Sequence, residues 1–205
     1  MTVRQLDIEL VAVGPSHAEQ LRTIWLEMLV GSPGLFYEGL DEALMLGTDQ
    51  WRERAAQLST RTSTLIAAVR NGAFVGMIGG YVDHAGVENE GHAATFHIAS
   101  VPAASVQTRA RVASMLLAEF ARWLVDRGVM ELFIGVREDQ VATLDQLLGL
   151  GFVPTGKRRV SELDADFDEV ELVCMVSALA YENVLHPTSG VRRPSSPGEY
   201  RYRVV

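Results

Sequence analysis

The tract from Ala99 to Phe120, ASVPAASVQTRARVASMLLAEF, sets polar and basic residues where an apolar strand gives way to an amphipathic helix. Thr108, Arg109, Ala110, Arg111, Val112, Ala113 and Ser114 stand at the expected start of that helix. Main-chain N–H groups at a helix N-terminus are unpaired and carry partial positive charge, so this stretch suits an anion such as a diphosphate. Arg109 and Arg111 add guanidinium groups, which grip phosphate oxygens in pairs. His97, in the strand just before, carries an imidazole with an ordinary pKa of about 6.5, able to take a proton from an ammonium, although a strand histidine is more often half-buried with a satisfied hydrogen bond. Asp83 closes the preceding strand candidate and suits a cationic ligand. Trp25, Phe36, Tyr37 and Tyr81 are candidates to line a pocket, although aromatic residues at helical or strand spacing more often pack in a core. No His/Cys cluster has zinc-ligand spacing, and the acidic run from Asp164 to Glu171 lacks the ordered ligands of a calcium loop, so no metal is expected. Cys174, the single cysteine, sits in the apolar run ELVCMV and reads as a small core residue rather than a nucleophile.

The elements that must position these groups are readable from periodicity. DIELVAV (Asp7 to Val13) alternates as a first strand, broken by Gly14-Pro15. Ser16 and Glu19 have the spacing of a capping box, and Leu21, Ile24, Trp25, Met28 and Leu29 form one helical stripe. A loop with a short helix follows, then a second helix around Trp51 to Leu58. STLIAAV (Ser63 to Val69) and FVGMIGGYVDH (Phe74 to His84) flank Asn71-Gly72, a strong hairpin signal. HAATFHIASV (His92 to Val101) is a third antiparallel candidate. The long helix places Val112, Leu116, Phe120 and Leu124 on one face and ends at Gly128. ELFIGV (Glu131 to Val136) is a buried strand, QVATLDQLLGL a further helix, and FVPTGKRRV and VELVCMVSAL are two last strands.

The chain has 205 residues, 48% of them apolar and 21% charged, the mix of an ordinary globular domain. No apolar run reaches the roughly 20 residues of a membrane-spanning helix, and the N-terminus lacks the layout of a secretory signal. With one cysteine, a reducing, cytoplasmic setting is expected. The net charge of −8 argues against broad nucleic-acid binding and suits a cationic or neutral small molecule. Basic residues nonetheless cluster at QTRAR, at GKRR (Gly156 to Arg159) and in the tail. The Pro-, Ser- and Arg-bearing tail can lie on its own domain or on a second subunit, so a homodimer is among the expected states.

This order of elements resembles that of the GNAT N-acyltransferases. In that family a loop written Q/R-x-x-G-x-G/A opens the central helix. Counting back from Leu116 and Leu117 puts Thr108 on the Q/R, Arg111 on the preceding Gly and Ala113 on the final G/A. The acetyl-CoA loop is thus degenerate. Gln140 falls where the family tends to have an Asn that helps hold the pantetheine arm, and LLGLGFVPTG looks like the family's lYeklGFe.tG ending, with Leu147 on its Tyr. The resemblance covers about Leu6 to Leu179.

It implies an α+β fold: a mixed, mostly antiparallel central sheet flanked by helices and splayed between the fourth and fifth strands. Residues 1–180 would form the domain and 181–205 the tail. It implies an N-acyltransferase that moves an acetyl or other acyl group from acyl-CoA to an amine of a small molecule or peptide. The donor would be held by Ser100, Val101, Thr108, Arg109, Ala110, Arg111, Val112, Ala113, Ser114 and Gln140, with a main-chain N–H near Ser100 or Val101 polarising the thioester carbonyl. His97 would serve as base and Tyr37 as the acid in place of the family's tyrosine, while Trp25, Phe36, Tyr81 and Asp83 would meet the acceptor. Two other readings stay open. One is a transferase that takes an aminoacyl group from tRNA. The other is a non-catalytic CoA-binding sensor or subunit.

Overall fold

The computed structural model describes residues 7–31, 36, 38–83, 90–99, 106–161 and 166–181. The elements, in chain order, are β1 (Glu9–Ala12), α1 (Ala18–Gly31), α2 (Leu40–Met45), α3 (Thr48–Gln57), β2 (Ser63–Arg70), β3 (Ala73–Asp83), β4 (Glu90–Ile98), α4 (Val106–Val125), β5 (Glu131–Arg137), α5 (Val141–Gly149), β6 (Val153–Val160), β7 (Asp168–Met175) and α6 (Val176–Tyr181). A 3-10 turn, Pro15–His17, leads into α1. The expected Ser16–Glu19 capping box is replaced there. The Gly14 N–H donates to His17 Nδ1 at 3.1 Å, so the imidazole caps the turn.

The seven strands form one sheet in the order β1-β2-β3-β4-β5-β7-β6, mostly antiparallel, with β4 and β5 parallel. The Asn71-Gly72 hairpin forms as its residues dictate. Both central residues take positive φ, 52° and 79°, the left-handed pair that matches the twist of the flanking strands. The last strand is shorter than the apolar run suggests. β7 stops at Met175, and Val176 to Tyr181 coil into α6, burying Val176 and Leu179 one turn apart.

Two cores lie on opposite faces. Ile78 and Val82 of β3 point to one, with Val112, Leu116, Phe120 and Leu124 of α4 and Leu132 and Ile134 of β5. Met77 of β3 points to the other, with Leu21, Ile24 and Met28 of α1, Trp51 of α3 and Leu65 of β2. Cys174 is buried in the first core.

The feature that matters for function is where β4 leaves β5. The two strands pair only over Gly91↔Leu132, His92↔Phe133 and Ala93↔Ile134. At the same level the register of β4 on β3 jumps, from Gly80↔Ala93 to Gly79↔Thr95, leaving Ala94 as an extra residue. Such a bulge bends its strand and increases its twist, which turns the rest of β4 away from β5. Glycine is required opposite the bulge, because a Cβ on Gly80 would run into the His92 carbonyl and the Phe120 ring. Among the described helices none is long and apolar enough to cross a membrane.

Candidate functional site

The wedge between the parted strands is a cavity of about 220 Å³. Thr95, Phe96 and His97 of β4 form one wall. Ile134 to Arg137 of β5, with Glu169 of β7, form the other. Gln140, Thr143 and Leu147 close it on the α5 side, and Met28 and Phe36 on the α1 side. The strand pleat explains this mixed lining. Phe96 and Ile134 lean toward the α4 core, whereas His97 takes the alternate direction toward α1.

His97 is nearly enclosed, with 14% of its side chain exposed. Its Nε2 is buried without a hydrogen bond and lies 4.0 Å from Glu27 Oε1 of α1. Burial pushes the imidazole pKa below its ordinary value, and the Glu27 carboxylate partly offsets this. Burial thus favours the neutral ring over the imidazolium.

On the far wall, Arg137 donates through Nε and Nη2 to both carboxylate oxygens of Asp139 at 3.0 and 2.7 Å and lies over the Phe167 ring. Hydrogen bonding from Arg137 holds the Asp139 carboxyl below the usual range. Glu169 accepts from Arg159 Nε at 2.7 Å. Gly135 makes room for that pair, since a Cβ there would approach both side chains to within 3.4 Å.

The helix start differs from the expected loop. α4 is helical from Val106, so its unpaired N–H groups belong to its first turn, up to Thr108, and not to Arg109 through Ala113. The cause is composition: with Arg109, Ala110 and Arg111 in place of glycines, nothing interrupts helix propagation, and no residue in the stretch takes positive φ. Val112 and Ala113, expected at the donor, are instead buried in the core at 2% and 0% exposure. Ala110, Arg109 and Arg111 are exposed, and Ser114 is half-buried. Thr108 and Arg109 flank a small hollow of about 10 Å³ together with Arg70, Val75 and Ile98. The GKRR cluster does not converge on either cavity as free charge. Lys157, Arg158 and Arg159 pair with Glu171, Glu138 and Glu169 at 3.3, 2.7 and 2.7 Å.

Of the remaining candidates, Gln140 sits at the cavity. Its carbonyl accepts the N–H groups of Thr143 and Leu144 at 3.0 Å each and so starts α5. Phe36 also reaches the cavity. Trp25 does not. Its indole N–H donates to Glu38 at 2.8 Å, Arg54 binds the same carboxylate through two 2.7 Å contacts, and the guanidinium stacks over Trp25 and Trp51. Tyr81 and Asp83 lie at the far end of β3, where Tyr81 stacks on His92 at 5.1 Å and His92 on Phe133 at 5.7 Å. Burial, and then Asp83, push the Tyr81 pKa up. Tyr37, Ser100 and Val101 lie outside the described residues. Among the described residues no group of three or more His, Cys, Asp or Glu is placed to hold a metal ion.

Sequence reasoning missed Met28, Thr95, Arg137, Thr143 and Glu169 in the cavity, Arg70 at the helix start, and Glu27. Thr143 carried a signal, one helical turn beyond Gln140. Glu27 carried none, because periodicity does not say which strand residue a helix flank will face.

The model of the Acetyltransferase (GNAT) family matches residues 25–152. No curated protein matches the sequence. Among solved structures, a GNAT-family acetyltransferase from Streptococcus pneumoniae superposes with a TM-score of 0.63 at 17% identity, over 82% of this chain and 99% of that one. The ribosomal-protein-alanine N-acetyltransferase of Brucella melitensis gives 0.58 at 17% identity, over 81% and 98%. An aminoglycoside acetyltransferase in complex with coenzyme A and kanamycin gives 0.58 at 14% identity, over 84% and 96%. At these identities the likeness is one of fold.

Proposed function

The chain belongs to the GNAT acetyltransferase family, and we propose that it transfers an acetyl or other acyl group from acyl-CoA to an amine of a small molecule or peptide. The observation that carries this reading is the cavity between β4 and β5, with the largely enclosed His97 imidazole on its wall.

The residues present fit the donor. Gln140 and Thr143 offer an amide and a hydroxyl to a pantetheine arm, and Phe96, Ile134, Val136 and Leu147 offer apolar walls. The first-turn N–H groups of α4, flanked by Arg70 and Arg109, suit its diphosphate despite the missing glycines. Bound acyl-CoA supplies an activated thioester carbonyl. His97 accepts the proton of the acceptor ammonium and so frees the nitrogen lone pair. Leu147 has no proton to give, so the departing thiolate is protonated by water. Holding amine and donor together accounts for most of the rate, since positioning alone is worth about 7–11 kcal/mol.

Incubating the protein with acetyl-CoA, longer acyl-CoAs and free CoA, with and without alkylamines, tests the proposal. Thermal stabilisation together with amine-dependent thiol release supports it. Stabilisation without release fits the sensor reading, and no response to any CoA fits the tRNA-dependent or structural one.

A further inference from the structure

His97 faces a carboxylate, that of Glu27 on α1. Glu27 projects from α1 with 39% of its side chain exposed, and its Oε1 lies 4.0 Å from His97 Nε2, the ring nitrogen sealed from solvent without a hydrogen bond. His97 itself lines the cavity. Two other charged side chains among the described residues line the cavity: Arg137, bound by Asp139, and Glu169, bound by Arg159. We propose that Glu27 is a positioning residue that keeps the proton of His97 on Nε2, so that the Nδ1 lone pair is the basic site offered to the cavity.

The chemistry is that of a base oriented by a third group. In neutral imidazole one nitrogen bears the proton and the other the lone pair, and the hydrogen bond made by the first decides which. A carboxylate beside Nε2 favours the Nε2–H form. It also favours the imidazolium, so it steadies His97 once Nδ1 has taken the proton of an acceptor ammonium. That proton leaves Nδ1 for water, and His97 returns to its starting state. The 4.0 Å separation closes by rotation of a half-exposed glutamate, a small change at one rim of the cavity. The proposal deepens the transferase reading, and its kinetic part rests on that reading.

The test has two arms on the full chain. In the first, nitrogen–proton NMR correlations of 15N-histidine-labelled protein report which nitrogen of His97 carries the proton, with His97→Gln used for assignment. The wild type is expected to show the Nε2–H form. Glu27→Ala should mix the two forms and lower the His97 pKa, and Glu27→Gln should keep the Nε2–H form with a lowered pKa. A wild-type Nδ1–H form, or a pattern and pKa that both variants leave unchanged, overturns the proposal.

In the second arm, thiol release from acetyl-CoA is followed with an alkylamine acceptor. Glu27→Ala should lower kcat about 10-fold while the acceptor KM stays within about twofold. The acid limb of the pH profile should move to lower pH, and Glu27→Gln should recover part of kcat. An unshifted limb with loss uniform across pH overturns the proposal. If the wild type releases no thiol from any acyl-CoA, the transferase reading fails, and the NMR arm alone decides the role of Glu27.

Discussion

At the scale of single residues, the account turns on His97 and Arg111. Because burial lowers the His97 pKa, the unfolded chain takes up a proton near pH 6.5 before the folded one does. Stability is therefore full above about pH 6.5 and falls as the pH drops toward the folded-state value. Chemical denaturation across this range should show a smaller acid loss for His97→Gln than for the wild type. In turnover, the acid limb of kcat/KM should lie below about 6.5 and vanish in that variant, with a fall in rate of about 100-fold or more. Arg111 is a helical, exposed residue rather than a loop residue. Arg111→Gly is expected to cost about 1 kcal/mol in urea unfolding and to leave CoA affinity by calorimetry no tighter. Tighter binding would mean that a glycine loop was needed after all. His97 stood out in the sequence as a candidate base, since few strand residues titrate near neutrality. The carboxylate beside it was not, because Glu27 and His97 are seventy residues apart and only the packing of α1 on the sheet brings them near.

At the scale of elements, the parting of β4 from β5 and the bracing of α1 against α3 carry the candidate site. Gly80→Ala sets a methyl against the His92 carbonyl and Phe120 at the bulge. It should destabilise by about 1–3 kcal/mol, read as a shift of the urea midpoint, and should weaken CoA binding more than a surface Gly→Ala of the turn at Gly72. The network of Glu38, Arg54, Trp25 and Trp51 ties α1, α3 and the segment before α2 together behind Met28 and Phe36. Arg54→Met should cost about 1–3 kcal/mol by leaving the partly buried Glu38 carboxylate without its guanidinium partner. That corresponds to a fall in Tm of about 2–4 °C per kcal/mol. The KM of an amine acceptor should rise with little change in that of acetyl-CoA. Most elements were legible because their apolar periods are clean: the Asn71-Gly72 hairpin, the α4 stripe and the Gly128 stop all form where the residues put them. Two boundaries were not. The capping box at Ser16 lost to the His17 imidazole, and β7 gave way to α6 because Val176 and Leu179 reach the core from a helix. The bulge at Ala94 leaves no trace in a stretch of alternating apolar residues.

At the scale of the whole molecule, an acidic chain presents its positive charge selectively. The basic residues of β6 are spent on carboxylates across the hairpin, whereas Arg109 and Arg111 stay exposed on the first turns of α4 beside a helix terminus. The β2-β3-β4 meander was readable in advance because two short connections join its strands. The unbroken run of α4 from Val106 was not, since residues that start a helix also suit a phosphate loop. The central claim is that this glycine-free helix start, with the gap between β4 and β5, grips a CoA-borne acyl group. The direct measurement is the thermal midpoint of the full chain at rising CoA and acetyl-CoA, paired with thiol release in the presence of an alkylamine. The account predicts saturable stabilisation, about 2.7 kcal/mol at 100 times Kd, and thiol release that depends on the amine. A midpoint unmoved by either ligand, with no thiol released, would contradict it.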